Sequence, residues 1–295
     1  MQRLPLPVRL MRQRLLALLD AMPAAASGDV TSVHRARVAS RRLREVLPVL
    51  AEAAGSDALD RAGRQVRRIT RALGPIRELD VALGHLDEAG ARAGVSARAL
   101  GKVRRHLAEE RAIHRRAMLD VITPTALEKL RARLHESPSR SPAREPDAEI
   151  RSARRRAARR AAALRVAVRR AGSLYSSERL HETRIAAKKL RYALEVEREL
   201  MHSRATGRIN RLKRVQDQLG NIHDFEILIG RVREVQAALA SSDRTTATDL
   251  DALVRVLEEE CREGHAAFLK ERAAITELCR LVIEAARDNR PTFTA

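Results

Sequence analysis

Val33-His-Arg-Ala-Arg-Val-Ala-Ser-Arg-Arg-Leu-Arg44 recurs later in the chain as Leu180-His-Glu-Thr-Arg-Ile-Ala-Ala-Lys-Lys-Leu-Arg191. The offset is 147, so that His34 lies over His181, Arg37 over Arg184, Arg41 over Lys188 and Arg44 over Arg191. A second pair follows at an offset of 146. Here Arg67-Arg-Ile69 and Leu73-Gly-Pro-Ile-Arg-Glu-Leu-Asp80 match Lys213-Arg-Val215 and Leu219-Gly-Asn-Ile-His-Asp-Phe-Glu226. Two ordered matches separated by half of 295 residues indicate an internal duplication. The seam reads as Glu136-Ser-Pro-Ser-Arg-Ser-Pro-Ala-Arg-Glu-Pro146, where clustered proline and serine mark a linker. The expected units are therefore 1–142 and 143–295, two halves of one structural unit.

On a helical wheel the repeated segment has two faces. At about 100° per residue, His34, Arg37, Arg41 and Arg44 fall within an arc of about 80°. Ala36, Ala39, Leu43, Val46, Leu47 and Leu50 lie opposite, which is the pattern of a helix burying one stripe in a core. The second copy sets His181, Arg184, Lys188 and Arg191 against Ala186, Leu190, Ala193 and Leu194. Each cationic stripe extends about 15 Å along its axis, a length suited to a linear polyanion. A merely solvated helix face mixes signs to gain i, i+4 pairs, whereas these stripes place four cations side by side. Something must neutralise them: a ligand, or nearby carboxylates such as Glu78, Asp80, Asp224 and Glu226.

The rest of the chain reads as helix too, with no segment alternating at period two. Helices are predicted over 7–22, 32–53, 57–89, 96–122 and 124–135, then 148–172, 177–202, 205–239 and 246–287. Ser32 and Ser177 are the expected N-caps, and Pro75 is expected to kink its helix. Short connections between long helices imply antiparallel neighbours. The predicted fold is all-α, with two antiparallel helical bundles in tandem.

Composition excludes several function classes. The net charge is +20, from 58 Lys and Arg against 38 Asp and Glu, and both halves are cationic. Fifty-two of the 58 are arginine, whose planar fork suits phosphate oxygens and stays charged. With no Trp, two Tyr and three Phe, there is no stacking platform for single-stranded nucleic acid. No glycine-rich nucleotide loop is present. Two cysteines, Cys261 and Cys279, cannot form a zinc cluster or a disulfide framework. Neither repeated histidine has a second histidine at i+4, so no helical metal site is proposed. The apolar stretch Leu15 to Leu19 is too short for a signal peptide or a membrane span, and the expected location is cytoplasmic.

Two further basic groups stand out. Arg64, Arg67, Arg68 and Arg71 share one helix face, while in the second copy only Lys213 and Arg214 persist, with Asn210 and Asp217 at the other positions. The run Arg151, Arg154, Arg155, Arg156, Arg159 and Arg160 is dense enough to suggest contact with a polyanion, although it spreads around its helix.

The doubled motif H-x-x-R-[VI]-A-[SA]-[RK]-[RK]-L-R, followed by L-G-x-I-[RH]-[DE]-x-[DE], resembles the CHAD domain, the conserved-histidine α-helical domain. The resemblance covers nearly the whole chain. It implies two pseudo-twofold-related antiparallel helical bundles around a central basic groove, and binding of inorganic polyphosphate, often at polyphosphate granules, without catalysis by this domain; no cofactor is expected. Carried over, the binding residues are His34, Arg37, Arg41, Arg42 and Arg44, with His181, Arg184, Lys188, Lys189 and Arg191 in the second copy. Arg67, Lys213 and Arg214 are the expected helpers. The triphosphate-hydrolysing β-tunnel domain of some relatives would need an E-x-E-x-K pair, and the chain has none. Pro75, and His223 where the first copy has Arg77, depart from strict repetition and are grounds to expect halves of unequal affinity. The competing reading is a nucleic-acid protein held by phosphate contacts alone; an enzyme acting through His34 or His181 is a third. Granule-associated proteins and a second copy of the chain are compatible partners, a membrane is not.

Overall fold

A computed structural model of the protein describes residues 6–54, 56–136, 148–201 and 206–287. Among them every element is helical: α1 (Leu6–Ser27), α2 (Val30–Ala54), α3 (Asp57–Ala93), α4 (Ala97–Val121), α5 (Pro124–Glu136), α6 (Ala148–Ala171), α7 (Ser177–Leu200), α8 (Gly207–Ala237) and α9 (Arg244–Arg287). The predicted linker lies, beyond Glu136, outside the described residues.

Helix starts differ from the prediction in an instructive way. Asp29, not Ser32, caps α2: its carboxylate accepts the Ser32 backbone N–H at 2.7 Å. Hydrogen bonding with the Ser32 side chain, and then this backbone bond, holds the Asp29 carboxyl below the usual carboxylate range. Gly28, at φ 99°, makes the reversal between α1 and α2 in the left-handed region. At α7 the N-cap position falls to Ser176, so Ser177 is the first helical residue. His34 and His181 consequently occupy the fifth position of their helices. Pro23 and Pro75 lie inside α1 and α3, each removing one backbone rung without ending the helix.

Three larger apolar clusters and a small fourth, Val49, Ala153, Val196 and Leu200, organise the helices. The first gathers α1, α2 and the leading part of α3, with Met118 of α4, its C-cap Ile122, and Leu130 and Leu134 of α5. The second packs α6 to α9 around Leu190, Leu212 and Phe268. The third joins the trailing parts of α3 and α8 to α4 and α9 through Leu86, Leu107, Val232 and Leu257. The repeated helices hold equivalent places, α2 beside α1 and α3, α7 beside α6 and α8. Their Ala/Leu faces are buried, Leu43 and Leu190 completely, so truncating either to Ala should cost about 2–5 kcal/mol. Burying that face turns the opposite stripe of each helix out of its own bundle, toward the other half.

Reciprocal ion pairs tie the halves together. Arg14 of α1 pairs with Glu199 of α7, and Arg155 of α6 pairs with Glu52 of α2 at 2.6 Å. Glu52 and Glu199 are themselves separated by the repeat offset of 147. Arg156 of α6 clamps the buried Glu45 of α2 with two bonds of 3.1 and 2.8 Å. A carboxylate so far from water is tolerated because a guanidinium meets it in fixed geometry.

Candidate anion-binding groove

The stripes of α2 and α7 meet over one cavity of about 340 Å³. Arg37, Arg41 and Arg44 line it from α2, Lys188, Lys189 and Tyr192 from α7, and Arg71, Gly74 and Glu78 from α3. Arg37 is fixed where it crosses α3. Its Nη1 donates to the Thr70 carbonyl at 3.3 Å, and the Thr70 hydroxyl bonds both Val66 O and Ser40 Oγ. Gly74 makes the crossing possible, since a Cβ there would sit 3.0 Å from Arg37 Nη1. The second copy repeats the arrangement more loosely, with Arg184 Nε 3.7 Å from the equivalent point of Gly220. The Leu-Gly pair of the repeated sequence is thus the notch through which the motif arginine of the neighbouring helix passes.

The cations strain one another electrostatically. Burial pushes Lys188 down to about 6, and Arg41, Arg184, Arg37 and Arg44 push the same way. Burial and Arg41 lower Arg37 to about 10, against a weaker opposing pull from Glu78. Arg41 and Arg44 are lowered by the same burial, Arg41 being partly relieved by Tyr192. Among the described residues no carboxylate pairs with Arg37, Arg41, Arg44, Lys188 or Lys189 within 4.0 Å. Of the four candidate carboxylates only two face the stripes. Glu78 lines the groove and Asp224 stands 4.0 Å from Arg184. Asp80 is held by Arg111 at 2.6 Å, and Glu226 accepts the Tyr175 hydroxyl at 2.5 Å.

Comparison with known proteins places this architecture. The sequence signature of the CHAD domain matches residues 9–233. The chain belongs to the CHAD domain family. Its fold is similar to the crystal structure of the CHAD domain from the plant Ricinus communis, with 21% identity, a TM-score of 0.62, and 89% of this chain and 91% of that one covered. It is similar also to PptA from Streptomyces chartreusis, at 16% identity and a TM-score of 0.65, over 96% of this chain and 98% of that one. No curated protein matches the sequence.

Within this CHAD domain the expected site residues separate into groups. Arg37, Arg41, Arg44, Lys188 and Lys189 line the groove, and Arg184 stands close enough to depress both Arg37 and Lys188. Arg191 is adjacent but engaged elsewhere: it bonds Gln216 at 2.9 Å, pairs with Glu195 and stacks 4.3 Å over the Tyr192 ring. Arg42 faces away from the groove lining, one residue and about 100° round α2 from Arg41. It lies 3.9 Å from Glu195 and lines a separate cavity with Arg14 and His34. Arg67 is exposed next to Arg44, which it helps to depress. Lys213 and Arg214 are exposed on α8 and line none of the cavities described here.

The motif histidines flank the groove. His34 keeps an exposed edge, and partial desolvation, then Arg77, Arg41 and Arg37, hold its pKa below the ordinary value. His181 meets His223, Nδ1 to Nδ1, at 3.0 Å, so one ring donates its N–H to the lone pair of the other. Burial, then Arg184, pushes His223 down to about 3, and His181 is lowered for the same reasons. His34 with Arg77 and His181 with His223 are the same two positions in the two copies. No group of three His, Cys, Asp or Glu is assembled for a metal among the described residues. Both cysteines are free and buried.

Two contributors are visible in sequence only as members of a pattern: Arg160, in the arginine run, couples electrostatically to Lys189 and Arg44, and Gly74, in the repeated Leu-Gly pair, lines the groove. Tyr192 lines it too, and a lone tyrosine does not distinguish itself in sequence.

Proposed function

We propose that this CHAD protein binds inorganic polyphosphate in the groove between α2 and α7, without chemically altering it, and through that binding associates with cytoplasmic polyphosphate granules. One observation carries the reading: Arg37, Arg41, Arg44, Lys188 and Lys189 converge on one groove from two helices, and among the described residues no carboxylate pairs with them within 4.0 Å. A site that keeps its cations so poorly neutralised gains most from a ligand that supplies many negative charges in a row. Arginine forks from α2 would take non-bridging oxygens in pairs. Release of counterions from the chain would supply much of the affinity, which should fall steeply with salt as it does for nucleic-acid phosphates. A cavity of about 340 Å³ receives a single chain more readily than a double helix.

The test is a titration with long-chain polyphosphate, competed by an equal mass of duplex DNA at low and near-physiological salt. Polyphosphate should win at both. Arg37→Ala with Arg41→Ala and Arg44→Ala should remove binding by at least a hundredfold with helical circular dichroism unchanged, since charge-assisted hydrogen bonds are worth about 1.5–3 kcal/mol each. Equal competition by DNA would mean generic charge attraction. Shortening of the chain on incubation with divalent metal would mean catalysis.

A further inference from the structure

A larger cavity, about 560 Å³, lies outside the groove between α3 and α5. Arg61, Arg64 and Arg68 line it from α3, Lys129 and Arg133 from α5, and Asp120 contributes a single carboxylate. Arg133 is oriented by Gln65, whose Oε1 accepts its Nη1 at 2.7 Å while the Gln65 amide donates to the Ala126 carbonyl. The start of α5 opens into the same space: Thr123, Thr125 and Ala126 line it, with Thr123 Oγ1 accepting the Ala126 N–H at 3.1 Å. The clustered cations favour an anion there, and the dipole of the 13-residue helix adds to them although Thr123 caps its first turn.

The cleft and the groove share one row of arginines. Arg61, Arg64, Arg68 and Arg71 repeat the i, i+3, i+7, i+10 spacing of His34, Arg37, Arg41 and Arg44, hence the same arc of about 80° and rise of about 15 Å. Arg71 lines the groove at one end of this row, and Arg61, Arg64 and Arg68 line the cleft at the other. The equivalent positions of α8, at the repeat offset, are Gly207, Asn210, Arg214 and Asp217, which keep one cation and add a carboxylate. The row exists on one side only.

We infer that the α3–α5 cleft is a second polyanion-binding site, holding the part of a polyphosphate chain that leaves the groove past Arg71. This rests on the reading of the groove given above. The protein would then bind long chains over groove and cleft together and short ones in the groove alone, with the chain emerging on the first-half side.

Binding of tripolyphosphate and of long-chain polyphosphate is to be measured by calorimetry across a salt series, on the whole chain. Arg61→Ala with Arg64→Ala and Arg68→Ala should lower long-chain affinity about tenfold and leave tripolyphosphate affinity unchanged. The slope of log affinity against log salt should shrink by about 2, at about 0.7 per cation as for single strands. Lys129→Glu, an exposed change on α5 that leaves the α3 row intact, should cost long chains about threefold and serves if the triple variant misfolds. Unchanged long-chain affinity and slope in both variants would overturn the inference. A groove variant (Arg37→Ala, Arg41→Ala, Arg44→Ala) that still binds both probes like the parent would overturn the groove reading instead, so the two failures are distinguishable.

Discussion

The two copies of the motif helix carry almost the same charges and hold them differently. In the second half Arg184 stands near Asp224, and Arg191 is tied to Glu195, Gln216 and the face of Tyr192. In the first half Arg37 has only a backbone carbonyl, and Arg44 has no hydrogen-bond or ion-pair partner among the described residues. The cause is a few neighbouring positions. Where the second copy has Glu195 and Gln216, the first has Pro48 and Thr70 at the repeat offsets; where it has Tyr192, the first has Glu45, which Arg156 occupies. The repeated motif places two stripes, and different neighbours leave one of them open. Availability of a charge, not its presence, then separates the halves.

The largest effect should come from stripping each half in turn. Arg41→Ala with Arg44→Ala is expected to lower polyphosphate affinity at least a hundredfold. Arg184→Ala with Arg191→Ala should cost only about tenfold in affinity but more in thermal stability, because it leaves Asp224 and the buried Glu195 without their nearest cations. Glu195→Gln should push the second half toward the first, releasing Arg191 and raising affinity about threefold while lowering Tm. Equal losses from the two double variants would break the comparison.

A pH series separates Lys188 from its first-half counterpart Arg41, which titrates far above neutrality. Free Lys188, at about 6, is mostly uncharged at pH 8, and a bound phosphate raises its pKa. Binding should therefore take up protons, and affinity should fall about tenfold from pH 6 to pH 8. Lys188→Arg should flatten that profile, leaving the part due to His181 and His223. The sign for folding follows from linkage. Because the folded pKa lies below the ordinary 10.5, the unfolded chain binds more protons between about 6 and 10.5. The unfavourable contribution of Lys188 is thus full below about 6 and fades toward 10.5. Lys188→Met should raise Tm by about 2–4 °C at pH 6 and by less at pH 9.

The smallest effects are expected at the two notches. Alanine in a helix interior is favoured over glycine by about 0.5–1 kcal/mol, and at Gly220 a new Cβ would make ordinary contact with Arg184. Gly220→Ala should therefore stabilise the protein with affinity unchanged. Gly74→Ala meets Arg37 at 3.0 Å, which should cancel the gain and cost about threefold in affinity.

Much of this was legible in the chain. Helix periodicity is local, so the Ala/Leu face of 33–44 and its cationic opposite are set by spacing alone, and α2 and α7 follow. The Leu-Gly repeat was visible without its meaning, because the side chain that fills the notch comes from another helix. Arg42 and Lys189 show the limit more sharply. Both lie one residue past a stripe member, yet Lys189 lines the groove beside Arg44, and Arg42 turns toward Glu195. Ser32 lost its place as cap to Asp29 because the helix began two residues earlier than its apolar pattern.

By itself the sequence determined an all-helical chain and two copies of a cationic stripe, since helix periodicity and each stripe depend on residues within a few turns of one another. Only the tertiary structure decided which cations stay unpaired, that the stripes share a groove, and that an α3–α5 cleft adjoins it. Those outcomes depend on partners as far apart as Arg156 and Glu45, or Arg14 and Glu199. Neutralisation acts over a few ångströms in space, and no local spacing rule specifies who stands there.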